Sequence, residues 1–210
     1  MGFVEELERI FDGSFEEQTQ QALIKCLYSA YKEAHNECFK KFSKEEAHDL
    51  LPFYRWIQLR SEFRGLGGRF KEIETYHEPN GPAPSYHIVI NTERVILTVS
   101  SVYGPGALPR PAIYRTEMAN THQLNFDFIK SDEDHNKVYA ILIHGVKRDD
   151  KKQPAFAQIG FPAKGFEYYI HRIDLFKKFD VLVKSLSSPS EKTIEPIPKE
   201  LAPQIIKKVG

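Results

Sequence analysis

A cluster of arginines interleaved with aromatic residues is the first feature of this sequence with recognisable chemistry. Residues 55–71 contain five basic residues and one acidic residue. The arginines of this stretch are Arg55, Arg60, Arg64 and Arg69. Guanidinium groups bind phosphates and aromatic rings stack on bases, so the cluster is a candidate nucleic-acid site. Alternatively, its aromatic side chains belong to the core, and its arginines pair with residues 1–50, which hold eleven acidic and six basic residues.

A second pair of arginines, Arg110 and Arg115, flanks the predicted start of a short helix, where Pro111 is well placed as the first residue. Backbone amides at a helix start attract anions, and Arg110 would complete an anion site there. The separation of six residues between Arg115 and His122 resembles the Arg-to-His motif of one group of all-helical ribonucleases. In that family the two residues share the chemistry of the 2′-hydroxyl and the phosphate. The resemblance covers these two residues only, and the neighbouring segments are predicted to be strands rather than a helical bundle.

Two further histidines lie at the ends of predicted strands. His87 begins one strand, and His144 ends another just before Gly145. Strand ends that face loops often carry catalytic groups, and histidine can act as an acid or a base near neutral pH. If the chain is an enzyme, the expected site residues are Arg115, His122, His87 and His144. A structural role for the strand-end histidines is the alternative.

The sequence predicts no metal site and no cofactor. His35, Cys38 and His48 come nearest to a set of metal ligands, but the sequence contains no CxxC or HExxH motif. The glycines of residues 65–69 follow a predicted helix, whereas glycines that hold a nucleotide phosphate precede one.

The first third of the chain, which must position the arginine cluster, is predicted to be helical. A first short helix should end at Gly13. Ser14 with Glu17, and Ser43 with Glu46, have the spacing of capping boxes that begin further helices. Pro52 predicts a break, followed by a second helix from about Phe53 to Arg64 that ends at the glycines.

After the glycines the hydrophobic period changes from that of helices to that of strands. Residues 77–85 are predicted to be a turn-rich connection, and residues 104–111 a loop. One hairpin is predicted from Tyr86–Asn91 and Arg94–Val102, and a second pair of strands from Val138–His144 and Ala155–Phe161. Glu167–Phe179 returns to helical spacing and is predicted to be a helix.

These patterns predict a single α+β domain. It consists of a helical part (1–68) and a mainly antiparallel sheet of four to five strands with short helices (69–184), followed by a Pro-rich extended tail (185–210). The 29 basic and 29 acidic residues balance, which argues against a general polyanion binder. Two cysteines and no long apolar run predict a cytoplasmic protein without a membrane span.

Two functions remain open from the sequence. The leading hypothesis is a non-enzymatic cytoplasmic binding or regulatory protein that acts through a protein or nucleic-acid partner. Its anion-binding residues would be Arg55, Arg60, Arg64, Arg69, Arg110 and Arg115. The alternative is a nuclease or another enzyme acting on a phosphate-containing substrate. A binder should place its arginines on an open face, whereas an enzyme should gather arginines and at least one histidine in one pocket.

Overall fold

Three helices form the N-terminal part of the protein in a computed structural model that describes residues 2–81, 85–122 and 137–188. They are α1 (Phe3–Ser14), α2 (Glu17–Lys41) and α3 (Lys44–Arg64). The predicted capping box at Ser43 is confirmed, because Ser43 Oγ accepts from the Glu46 amide and the Ser43 amide donates to Glu46 Oε2, at 3.4 and 3.1 Å. The one predicted at Ser14 is wrong, since α1 extends through Ser14 and α2 begins without a side-chain cap.

The predicted break at Pro52 is also wrong. Pro52 lies inside α3, which continues to Arg64 and is capped by Gly65 as expected. Proline removes one backbone hydrogen bond from a helix interior. Here α3 buries Leu51 just before the proline and Leu59 and Phe63 in the turns after it. We attribute the continuity of α3 to this burial, since tertiary packing routinely overrides local helix preferences.

A six-stranded sheet follows the helices, with its strands in the order β1-β2-β3-β4-β5-β6. All neighbouring strands are antiparallel except β3 and β4, which are parallel. The α+β class, the helical start and the mainly antiparallel sheet are thus confirmed, as are both predicted strand pairs. The strands are β1 (Glu74–Pro79), β2 (Tyr86–Asn91), β3 (Val95–Ser101), β4 (Val138–Val146), β5 (Pro154–Pro162) and β6 (Tyr169–Asp174).

Two of these strands correct the sequence-based prediction. The predicted turn at 77–85 overlaps β1, a largely exposed edge strand whose side chains lack the apolar alternation that marks a strand in sequence. The predicted helix Glu167–Phe179 is instead β6 followed by a one-turn helix, α5 (Leu175–Lys178). Pairing with β5 provides hydrogen-bond partners for the backbone amides and carbonyls of β6. This non-local pairing cannot be predicted from the helix-like spacing of the apolar residues.

The sheet has an apolar core on each face. On one face α1, α2 and the end of α3 pack against alternate residues of β2 to β6. On the other face lie α4 (Ile113–Thr121) and a short 3₁₀ turn, Lys164–Phe166. The last helix that the structure describes is α6 (Asp180–Ser187). The predicted extended tail, 185–210, is therefore wrong for residues 185–187, which are helical, and its residues 189–210 lie outside the described part of the chain. None of the described helices is long and apolar enough to cross a membrane.

The parallel pair of strands sets the position of the site. β3 and β4 are parallel, so the chain between them must return to the starting edge of the sheet, and α4 lies on this return. Pro111 precedes the helix by two residues instead of beginning it. The carboxyl ends of β3 and β4 consequently lie side by side at one end of the strands. The first residues of β2, which runs antiparallel to β3, lie at the same end.

Candidate anion-binding cleft

A cleft of about 310 Å³ lies at the end of the sheet formed by the carboxyl ends of β3 and β4. It is bordered by α3 on one face of the sheet and by the start of α4 on the other. We call it the arginine cleft. Its polar and charged lining residues are Arg55, Arg60, Asn80, His87, Ser100, Ser101, Arg115 and His144. Among the described residues that line it, none is an aspartate or a glutamate.

Strand register brings these side chains together from distant parts of the sequence. Ser101 at the end of β3 is paired with His144 of the parallel β4. Continuing the β2–β3 register by two residues places His87 beside Ser100. Because successive side chains of a strand point to opposite faces, Ser100 and Ser101 serve the two sides of the cleft.

Arg55 is the buried cation of the arginine cleft. Only 7% of its surface is exposed. Its guanidinium lies over the Tyr31 ring at 4.5 Å, and Nη2 donates to the Lys151 carbonyl at 3.4 Å, while Nε has no hydrogen-bond partner. No carboxylate of the described residues forms an ion pair with it. Burial consequently lowers the pKa of Arg55 from its ordinary value, as expected of a charge removed from water without a counter-ion.

Two more arginines face the same cleft from its two sides. Arg60, one turn further along α3, stacks on Trp56 at 4.4 Å. Arg115 of α4 donates from Nη1 to the Arg110 carbonyl (2.7 Å) and from Nη2 to Ser100 Oγ (3.1 Å). The Nε atoms of both arginines are buried and unpartnered. Both guanidinium groups thus keep donor capacity for a ligand.

His144 packs against the Tyr31 ring, over which Arg55 lies, and has 1% of its surface exposed. Its Nδ1 shares a 2.7 Å hydrogen bond with the Tyr31 hydroxyl, which leaves Nε2 for a ligand. Burial, and then the charge of Arg55, depress the pKa of His144 to about 3. Burial also raises the pKa of Tyr31, against smaller opposing effects of Arg55 and of a hydrogen bond with Ser101. At neutral pH the imidazole is therefore uncharged and the tyrosine protonated.

His87 is fixed on three sides. Its ring stacks on Tyr114 of α4 at 3.7 Å between centroids, and its Nδ1 donates to Asn80 Oδ1 at 2.9 Å, since the Asn80 amide nitrogen donates to Ser85. The third neighbour is Glu78, whose Oε2 is 3.5 Å from Nε2. Burial, and then the charge of Arg115, lower the pKa of His87 to about 4. This histidine is neutral at neutral pH as well.

The cleft therefore holds three arginines and two uncharged histidines. A multiply charged oxyanion is the ligand class that fits this set, because guanidinium groups donate paired hydrogen bonds to phosphate or carboxylate oxygens. The exposed ends of the site carry the Ser101 hydroxyl and the start of α4, and both can donate to an anion.

The structure brings together some of the predicted site residues and not others. Arg55, Arg60, Arg115, His87 and His144 line the arginine cleft. Arg64, Arg69 and Arg110 are exposed and do not line it, although the Arg110 carbonyl holds Arg115. His122 follows the last turn of α4 and lines a separate small cavity with Leu7 and Phe161, so it does not meet Arg115 in the cleft.

Sequence reasoning missed Tyr31, Ser101 and Tyr114, which hold or touch the histidines. Tyr31 lies on the buried face of α2 and reads as an ordinary core residue. Its contact with His144 spans 113 residues of sequence. The sequence showed two strand-end histidines and two groups of arginines, but not that they would meet.

The residues considered as metal ligands do not assemble. Within residues 2–81, 85–122 and 137–188, no group of three or more His, Cys, Asp or Glu side chains is placed to hold a metal ion. Cys38 is buried, His35 stacks on Phe39, and His48 meets the edge of the same ring.

In comparisons with known proteins, no family model, no curated protein and no solved structure matches the chain.

Proposed function

We propose that the protein is an enzyme that acts on a phosphate-containing substrate bound in the arginine cleft. The observation that carries this proposal is Arg55, a guanidinium with 7% exposure and no carboxylate partner among the described residues. An unpaired buried charge costs several kcal/mol, so a fold that retains one implies that a ligand supplies the counter-charge. Arg60 and Arg115 line the same cleft, so the ligand should carry more than one negative charge.

Phosphate fits this demand better than a carboxylate. A phosphate ester offers several oxygens over which its charge is spread, and three guanidinium groups can each bind different oxygens. At an effective dielectric constant near 20, one such pair at 4 Å is worth about 4 kcal/mol before desolvation is counted. The hydroxyls of Ser100 and Ser101 add neutral donors on the two sides of the cleft.

The enzyme is favoured over the binding protein because the arginines share their pocket with two histidines. A surface that only binds phosphate does not require neutral imidazoles buried beside its arginines. Hydrolysis of a phosphate ester does require a group that accepts and donates protons. We assign the proton transfer to His144, which lines the cleft. In the tautomer that this role requires, Nδ1–H donates to the Tyr31 oxygen, so Nε2 carries no proton and is the basic atom. His87, stacked on Tyr114 and bonded to Asn80, is a positioning residue.

The reaction that this arrangement supports is hydrolysis of a phosphate ester. A water oxygen forms a bond to phosphorus while its proton passes to His144 Nε2, and the ester P–O bond breaks. The proton on Nε2 then passes to the leaving oxygen, which departs as the alcohol, and the new phosphate stays bound by the arginines. Arg55, Arg60 and Arg115 stabilise the charge on the phosphoryl oxygens throughout.

The depressed pKa of His144 ties this chemistry to substrate binding. Burial and the Arg55 charge hold that pKa at about 3 in the free cleft, where the imidazole is a weak base. A bound phosphate neutralises the effect of Arg55 and raises the pKa toward the range in which histidine transfers protons efficiently. The base is consequently strengthened by the substrate itself.

The non-enzymatic binding protein remains the second candidate. The observation that favours it is the exposure of Arg64, Arg69 and Arg110 outside the cleft, which would suit an extended acidic partner such as nucleic acid. The two candidates differ in whether the bound phosphate ester is turned over.

The test combines a phosphate-binding measurement with a turnover assay. Phosphate binding is measured by calorimetry, and turnover with p-nitrophenyl phosphate, bis-p-nitrophenyl phosphate, RNA and single-stranded DNA. Tyr31→Phe keeps the ring beneath Arg55 but removes the hydroxyl that holds His144. We expect it to bind phosphate as the wild type does and to lower kcat by about tenfold or more.

Each result decides between the candidates. Turnover that falls in Tyr31→Phe at unchanged phosphate affinity supports the enzyme. Phosphate binding without turnover of any substrate makes the protein a binding module. A wild-type protein that binds no phosphate removes the proposal altogether.

A further inference from the structure

The rim of the arginine cleft carries two large aromatic side chains. Trp56 and Tyr86 both line it, with 42% and 46% of their surfaces exposed. They come from different elements, since Trp56 lies on α3 and Tyr86 begins β2. Exposed aromatic rings beside unpaired guanidinium groups are the combination with which proteins bind nucleotides, since rings stack on bases and arginines hold phosphates.

Arg60 connects the aromatic ring that would stack on a base with the arginines that would bind its phosphate. Its guanidinium lies 4.4 Å over the Trp56 ring, so a cation that can contact phosphate also orients the indole. With one face of the indole occupied by Arg60, the exposed part of Trp56 is available to a second planar group. A base stacked there would place its phosphate on the side of Arg60 and Arg55.

We propose that the ligand of the arginine cleft is a nucleotide, with its phosphate between the arginines and its base on Trp56 and Tyr86. This inference rests on the proposed function and specifies its substrate class. The cavity of about 310 Å³ is at the small end of ligand pockets and accommodates one nucleotide unit rather than a larger cofactor. The unit is a free mononucleotide or one residue of a single strand, which share this chemistry.

An alternative explanation of Trp56 is a protein-docking surface. Trp56 neighbours Phe53 and Ile57, which are also exposed on α3. Neither of those residues lines the cleft, whereas Trp56 does. A change at Phe53 therefore separates the two explanations, because it alters the outer surface of α3 and leaves the cleft intact.

The experiment compares ligands that differ by one group at a time. Inorganic phosphate, ribose 5-phosphate, adenosine monophosphate and a four-residue adenine oligoribonucleotide are titrated by calorimetry under conditions without turnover. Trp56 is the sole tryptophan of the sequence, so quenching of its fluorescence reports stacking directly. The variants are Trp56→Ala and Tyr86→Ser in the cleft, with Phe53→Ala as the matched control.

We expect adenosine monophosphate to bind about tenfold more tightly than ribose 5-phosphate and to quench Trp56. That advantage should disappear in Trp56→Ala and persist in Phe53→Ala. A tighter tetranucleotide identifies the source as a nucleic-acid strand, and equal affinity identifies a mononucleotide; both results support a nucleotide ligand.

Equal binding of ribose 5-phosphate and adenosine monophosphate by the wild type, without quenching, overturns the nucleotide inference and leaves the phosphate site standing. Failure of all four ligands to bind removes the proposed function as well. Since the decisive comparison is made on the wild type, it does not depend on the folding of a variant.

Discussion

Replacement of Arg55 by methionine should have opposite effects on stability and on ligand binding. Methionine keeps an unbranched side chain against the Tyr31 ring but removes the charge. In the free protein the unpaired guanidinium costs several kcal/mol, against which its stacking on Tyr31 and its hydrogen bond to the Lys151 carbonyl return about 3 kcal/mol together. Arg55→Met should therefore stabilise the free protein by about 1 kcal/mol, which corresponds to a rise in Tm of about 2–4 °C.

Phosphate binding should change in the other direction. A hydrogen bond from a charged donor contributes about 1.5–3 kcal/mol, so the loss of Arg55 should weaken phosphate binding about 10- to 150-fold. At a phosphate concentration of 100 times its Kd, the wild type gains about 2.7 kcal/mol of stability, and the variant should gain much less.

Thermal unfolding with and without phosphate measures both effects in one series. Arg148→Met is the matched control, because Arg148 is an exposed arginine on the β4–β5 turn and lies outside the cleft. It should leave both the Tm and its dependence on phosphate unchanged. An Arg55→Met protein that melts several degrees below the wild type, yet keeps the full phosphate effect, would show that Arg55 is a structural residue and refute the reasoning.

Three further predictions concern stability and reactivity. The depressed pKa values of His144 (about 3) and His87 (about 4) mean that the unfolded state binds more protons below pH 6.5, so each histidine should cost about 2 kcal/mol of stability at pH 5 relative to pH 7. Urea unfolding at the two pH values measures this loss, which His144→Asn should reduce; equal stability at both would contradict it. Burial raises the pKa of Cys26 to about 12, so this thiol should resist a disulfide reagent at pH 8 until urea unfolds the chain, and rapid labelling of the native protein would be inconsistent with its position. Ser43→Ala removes the side-chain cap of α3 and should lower the free energy of unfolding by about 1 kcal/mol, measured by urea unfolding, whereas an unchanged midpoint would show that the cap contributes nothing.

Local patterns predicted the elements whose hydrophobic period agrees with their final environment. Both predicted pairs of strands and the end of α3 at Gly65 follow from apolar spacing or from glycine. The wrong predictions concern segments whose secondary structure depends on contacts with residues distant in sequence. Pro52 is tolerated inside α3 because the helix is anchored by buried residues before and after it, and β6 is extended because β5 pairs with it.

The site was predictable as a set of residue types but not as an assembly. The sequence singled out these residues separately: Arg55 in the arginine–aromatic stretch, Arg115 near a helix start, and His87 and His144 at strand ends. Their meeting depends on the parallel pairing of β3 with β4, which the sequence pattern did not predict. Tyr31 could not be recognised at all, because a tyrosine on a buried helix face has the same pattern whether it packs in the core or holds a histidine.

The two proposed functions differ in chemistry but share one claim, that the arginine cleft binds phosphate. Crystals of the protein soaked with tungstate, a phosphate analogue with a strong anomalous signal, test it most directly. We predict an anomalous peak within hydrogen-bond distance of Arg55, Arg60 and Arg115, reduced in crystals of Arg55→Met. Tungstate bound only at the exposed arginines outside the cleft, with the cleft empty, would contradict the account.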